Sequence, residues 1–284
     1  MLKKLLKYDM QPIYKVWWII AASVIGISVV GAFSLRIYVE SIAREATSFI
    51  SVTAYFIGNF SIIGVISSIA ITSILAHYRF YKNFYTDEGY LTFTLPASRK
   101  MLLFSKTLNT FIWELLHITL LIICAFIFFI IVPPSTDSSL LDPYIFEQIG
   151  NFTNYIFSEG GFWLVIYIFE AIIILLCSHI LSIVLIELCI TIGAVTAKKY
   201  KLLCAIGIYY LVTNVLSSIP IFIFFTSTML AAGGFISIIT EMSSIGAHFA
   251  IAILLLLVAV AIATITLILY SVILDKIERK LNLA

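Results

Sequence analysis

Five ionisable side chains interrupt stretches of chain that are otherwise apolar: Glu114 and His117, three residues apart, then Glu170, His179 and Glu187. A carboxyl and an imidazole at that first spacing share one face of a helix. That is the arrangement of a proton relay or of a polar contact for a passing substrate. A charge at mid-membrane costs about 2.5–3.5 kcal/mol on insertion scales, so such groups turn toward a bundle interior or a wet cavity. Two structural readings stand beside the functional one: a carboxyl kept neutral by burial, or a Glu–His hydrogen bond between helices. Glu170 lies nearer the outer third of its run, where water is closer. Glu114, His117, Glu170 and Glu187 form the candidate polar path or substrate contact.

Nothing else in the chain has the spacing of a chemical site. The P-loop pattern GxxxxGKS/T, the nucleophile elbow GxSxG, the zinc motif HExxH and the dinucleotide fingerprint GxGxxG are all absent. The chain is therefore expected to be no enzyme and to hold no cofactor of its own. The histidines, His77, His117, His179 and His248, are far apart. Cys124, Cys177, Cys189 and Cys204 fall in apolar runs without CxxC spacing, and read as small buried hydrophobes with neither metal nor disulfide. Asn151-Phe152-Thr153 matches a glycosylation acceptor, a pattern common by chance.

Long helices must position these residues. Of 284 residues, 62% are hydrophobic and 11% charged, against about 45–50% and 25% in soluble domains. A globule of this size cannot hide that much apolar surface, so lipid must cover part of it. A span needs about 20 apolar residues, and six runs qualify: Val16–Ser34, Ile50–Ala76, Leu103–Val132, Phe162–Ile192, Leu202–Phe225 and Ala247–Ile273. They are too long and too continuously apolar for barrel strands. The expected fold is all-α, a single membrane domain over 1–284 with six transmembrane helices. A basic start followed by an apolar run mimics a signal peptide, but no small-residue cleavage site comes after it, so a retained first span is expected.

The net charge of +2 hides an asymmetry. Fifteen of the 17 lysines and arginines fall in segments on the side of the N-terminus, and only Arg36 and Arg44 on the other. The positive-inside rule then places both termini in the cytoplasm of a multi-pass cell-membrane protein. The partner this predicts is the bilayer, and no nucleic acid. Residues 1–15, MLKKLLKYDMQPIYK, place apolar residues near helical spacing between lysines. They read as an amphipathic elbow on the inner surface, weakened at Pro12 and turning into the first span at Trp17-Trp18. Outside, a small helix is expected after Asp142-Pro143. The segment 227–245, broken at Gly233-Gly234, fits two short helices dipping into the outer leaflet, or a simple loop. In the fifth run, Asn214 and Pro220 read as kink or packing residues.

The segment 77–102 is neither lipid-soluble nor linker-like. Tyr78, Phe80, Tyr81, Phe84 and Tyr85 continue the second span inward, and Thr86 or Asp87 can cap the next element. Asp87-Glu88-Gly89 leads into Tyr90-Leu91-Thr92-Phe93-Thr94-Leu95, closed by Pro96, and Ser98 can cap the third span. Alternation of Leu91, Phe93 and Leu95 with threonine fits a strand, while Leu91–Leu95 spacing fits a short helix. Either way the element is structured, inner-facing and apolar on one side, as a partner site is.

FYKNFYTDEGYLTFTLPASRKMLLFSK, from Phe80 to Lys106, resembles the loop between the second and third spans of Gram-positive ABC-2-type permeases, the membrane subunits of ABC exporters. The elbow, six spans, inside termini and broken outer segment are similar in plan. The resemblance implies a cytoplasmic coupling helix, with Asp87, Glu88, Gly89, Tyr90, Leu91, Phe93 and Leu95 docking into a separate ATPase subunit that binds the ATP and Mg. It also implies two permease copies, identical or related. The apolar spans suit an amphipathic or hydrophobic cargo: a peptide such as a bacteriocin, an antimicrobial, or a lipid-like compound. Two other readings remain at this point. One is a proton-coupled secondary transporter using Glu114, His117 and Glu187. The other is a membrane adaptor or sensor that binds a partner through the same loop and moves nothing.

Overall fold

A computed structural model describes residues 2–45, 48–132, 150–151, 154, 159–197, 199–214 and 244–279. The described residues form seven helices: α1 (Leu2–Ala43), α2 (Phe49–Tyr85), α3 (Asp87–Phe93), α4 (Arg99–Ile131), α5 (Glu159–Thr196), α6 (Lys201–Asn214) and α7 (Ser244–Arg279). Five of them, α1, α2, α4, α5 and α7, are long and apolar enough to cross a membrane, which makes this an all-helical, multi-pass membrane protein. The fifth expected run is represented by α6, 14 residues long; positions 215–225, with Pro220, lie outside the described residues. So do nearly all of 227–245, the region after Asp142-Pro143, and Phe152-Thr153.

The amphipathic elbow does not form a separate element. Residues 2–15 are the first turns of α1, a continuous helix of 42 residues that runs through Pro12. Contacts on both sides of the proline explain its persistence. One turn before it, Asp9 pairs with Lys106; just after it, Ile13 and Trp17 are buried in a core with Val24, Val65, Trp113 and Cys124. The buried stripe Ile13, Trp17, Ala21, Val24, Ser28, Gly31, Ala32 keeps helical period throughout. At 1.5 Å per residue α1 is about 63 Å long, twice the roughly 30 Å hydrocarbon thickness. It ends at Glu45, whose φ of 54° is left-handed and whose N–H donates to the Ile42 carbonyl at 2.9 Å.

Contacts group the chain into two compact units, Met1–Phe80 with Pro96–Phe152, and Tyr81–Leu95 with Thr153–Ala284. In the first, α1 and α4 run parallel in near-constant register, from Asp9–Lys106 to Trp17 against Trp113 at 5.6 Å between ring centroids. Helix α2 runs antiparallel to α1, and small residues let the two backbones approach. A Cβ on Gly31 would lie 2.3 Å from Ser61 Cβ, and one on Gly58 would lie 2.4 Å from the Leu35 side chain. In the second unit α5 packs along α7, and a Cβ on Gly193 would meet the backbone of Ala205 in α6 at 2.6 Å. Hydroxyls along the spans are closed within their own helices, as in Ser28 to the Val24 carbonyl at 2.7 Å and Thr264 to that of Val260 at 2.7 Å.

Gly31→Leu is expected to separate α1 from α2 and cost about 1–3 kcal/mol through overpacking, read as a lower thermal midpoint in detergent. Gly26→Leu should leave the midpoint unchanged, because nothing lies within 4 Å of a Cβ there.

Candidate functional site

The segment between α2 and α4 is built from its anchors outward. Phe84 and Tyr85, in the last turn of α2, are buried. The Tyr85 hydroxyl donates to Thr191 Oγ1 at 2.7 Å, and Thr191 donates to the Glu187 carbonyl at 2.7 Å, which ties the end of α2 to α5. The chain then turns at Thr86 (φ −120°, ψ −173°). Thr86 occupies the N-cap position of α3, but its hydroxyl donates backward to the Lys82 carbonyl at 2.6 Å and does not cap.

A seven-residue helix is too short to persist by itself, and α3 is held by three contacts. Gly89 is buried, and its N–H donates to the Thr86 carbonyl at 2.8 Å; a Cβ there would lie 2.7 Å from the Phe84 carbonyl oxygen. The Phe93 ring packs on Phe84, 5.6 Å between centroids. Glu88 pairs with Lys82 at 2.7 Å, and Asp87 and Glu88 supply negative charge to the first turn. Thr94 closes the helix, its N–H reaching the Tyr90 carbonyl at 3.2 Å and its hydroxyl that of Leu91 at 2.8 Å. Ser98 then caps α4, accepting from the Met101 N–H at 3.3 Å. The helical alternative for this stretch is the one adopted.

The seven expected docking residues thus divide into two groups. Gly89 and Phe93 face inward and Glu88 staples α3 to α2, so these three position the element. Asp87 is exposed, and Tyr90 (63%), Leu91 (68%) and Leu95 (44%) present an apolar face outward.

The intramembrane candidates separate as well. Glu114 and His117 lie in the first unit, facing α2 from α4. Both ring nitrogens of His117 are engaged: Nε2 lies 2.8 Å from Ser68 Oγ and Nδ1 2.9 Å from Thr72 Oγ1. Ser68 donates its own proton to the Val65 carbonyl at 2.6 Å, so it accepts from His117 Nε2–H, and Nδ1 accepts from Thr72. In the neutral ring this tautomer closes the hydrogen-bond chain. Glu114 Oε1 lies 3.8 Å from His77 Nδ1, which also meets the Ser73 carbonyl at 2.8 Å. In the second unit Glu170 and Glu187 are both buried in α5. They stand 17 residues apart, about 25 Å along the axis, and do not form one site. Glu170 Oε2 has no hydrogen-bond partner among the described residues.

The sequence reading missed the Asp9–Lys106 pair, where Ser105 Oγ also reaches Asp9 Oδ2 at 3.3 Å. Its signal was present: Asp9 is the sole acid in the first 39 residues, set among lysines. The contribution of Ser68 and Thr72 was also missed, although their spacing of four puts both hydroxyls on one helix face. Among the described residues no group of three His, Cys, Asp or Glu could hold a metal. No family model matches the chain, and no curated protein and no solved structure matches it either.

Thr72→Val removes the donor to His117 and is expected to lower stability by about 0.6–1.7 kcal/mol, the range for interhelical hydrogen bonds in membranes. Nitrogen NMR of the ring should read Nε2 as protonated and Nδ1 as bare in the parent protein.

Proposed function

We propose that this chain is the permease subunit of an ATP-driven ABC exporter of the ABC-2 type, with α3 as its coupling helix. The observation that carries the reading is the outward face of α3. Tyr90 and Leu91 are apolar and exposed on a helix that Gly89, Phe93 and the Lys82–Glu88 pair hold against α2, and the exposed Leu95 follows just beyond its end. An exposed apolar face on a braced, polar-flanked element fits a partner's groove. The exposed Asp87 favours a groove with basic residues at its rim.

The charge asymmetry supports an inner location for this element and both termini, in a cell-membrane protein with α6 and the residues after it completing a sixth span. The absence of a P-loop supports a separate subunit that binds ATP and Mg. In that arrangement ATP closes two ATPase subunits under two permease copies. Movement of α3 passes through the Phe84–Phe93 contact and the Tyr85–Thr191 hydrogen bond into the ends of α2 and α5. The two conformations need differ only in how α3 is held for nucleotide to shift their populations. The apolar spans suit an amphipathic or hydrophobic cargo. The closed tautomer chain at His117 supports a packing role for that residue over proton relay.

Co-expression with a P-loop ATPase encoded beside this chain should yield a complex that survives purification in detergent. Leu91→Arg, at an exposed site, should lower its yield at least tenfold and remove permease-dependent ATP hydrolysis. Gly89→Val should do the same by displacing α3. A complex and a coupled hydrolysis that persist through Leu91→Arg would refute the coupling role. Transport by vesicles lacking any ATPase would favour a secondary transporter, and a complex that moves nothing would favour an adaptor.

A further inference from the structure

The first turns of α1 and the start of α4 enclose a groove of about 590 Å³, within the range of small-molecule sites. Its walls are of two kinds. Leu2, Leu6 and Met10 form an apolar stripe on α1, and Leu108 of α4 faces them. Lys3 and Lys7, one turn apart, line the same groove, with Tyr14 two turns further on. We propose that this groove seats an anionic phospholipid, its acyl chains on the leucines and Met10 and its phosphate on Lys3 and Lys7.

Charge decides the occupant. Lys3 and Lys7 are exposed and have no ion pair among the described residues. The acid nearest to them in sequence, Asp9, is engaged by Lys106 and Ser105 on the other side of the helix. The groove therefore keeps two uncompensated positive charges above an apolar floor. That combination rejects a zwitterionic headgroup as a preferred partner, and it repels a second copy of the same basic end. The groove ends at Tyr14, whose ring meets the exposed Trp18 at 6.2 Å between centroids. Anionic lipids line the cytoplasmic leaflet, where the orientation proposed above puts this end of α1. The inference uses that orientation but not the docking role of α3.

The test is native mass spectrometry of the full chain in detergent, titrated with phosphatidylglycerol or phosphatidylcholine of matched acyl chains. Phosphatidylglycerol should be retained in preference, with affinity falling about fivefold for each lysine lost in Lys3→Gln and Lys7→Gln, the usual weight of one juxtamembrane lysine. Lys3→Arg with Lys7→Arg should retain it. Lys4→Gln with Lys15→Gln removes the same charge outside the groove and should leave retention near the parent value. Glycerophosphate without acyl chains should not compete. Equal retention of both lipids, an equal loss in the Lys4/Lys15 variant, or displacement by glycerophosphate would each overturn the assignment.

Discussion

Hydrocarbon offers no hydrogen bonds, and the rest of this structure depends on that constraint. Each backbone N–H and C=O inside the bilayer must find its partner within the protein. The spans are accordingly unbroken helices of 33 to 42 residues. Side-chain hydroxyls obey the same demand, bonding the carbonyl one turn back. Where a side chain cannot close on its own helix, it closes on a neighbour. His117 satisfies one nitrogen as donor and the other as acceptor, and the cost of burying an imidazole becomes a link between α2 and α4.

The buried polar residues of α4, Ser105, Lys106, Asn109, Thr110, Glu114 and His117, precede the buried Leu120 and Cys124. The earlier part joins directional contacts to the Trp17–Trp113 packing, and the later part packs by apolar contact. A polar stripe in an apolar chain invites a transport reading. Its contacts within the unit explain much of it as assembly chemistry, because an ion pair between Asp9 and Lys106 sets helix register more sharply than leucine contacts can.

The sequence was legible where one helix could be read along its own axis. Helical class, the long apolar runs, the Ser98 cap and the position of a short structured element after Tyr85 emerge from composition, period and capping residues. The features that could not be read depend on a neighbouring helix. Pro12 read as a weak point because the contacts that hold the helix across it come from Lys106 and Trp113. The docking residues looked equivalent because only the approach of Phe84 distinguishes Gly89 and Phe93, turned inward, from Tyr90 and Leu91, turned out. Glu170 and Glu187 were grouped in one path by residue type, although 17 residues on one helix already put them about 25 Å apart.

The hydrogen bond from Tyr85 to Thr191 joins residues 106 positions apart. Chains grow at about 5–20 residues per second, so the end of α2 emerges roughly 5–20 s before its anchor on α5. The pairs that hold α1, α2 and α4 together involve residues no later than Phe128 and are complete well before then. Biogenesis therefore has an order written into it. The three-helix unit can assemble while synthesis continues, and α3 gains its full bracing only when the fourth long helix has entered the membrane, so a stalled or truncated chain would carry a finished first unit and an unanchored connector.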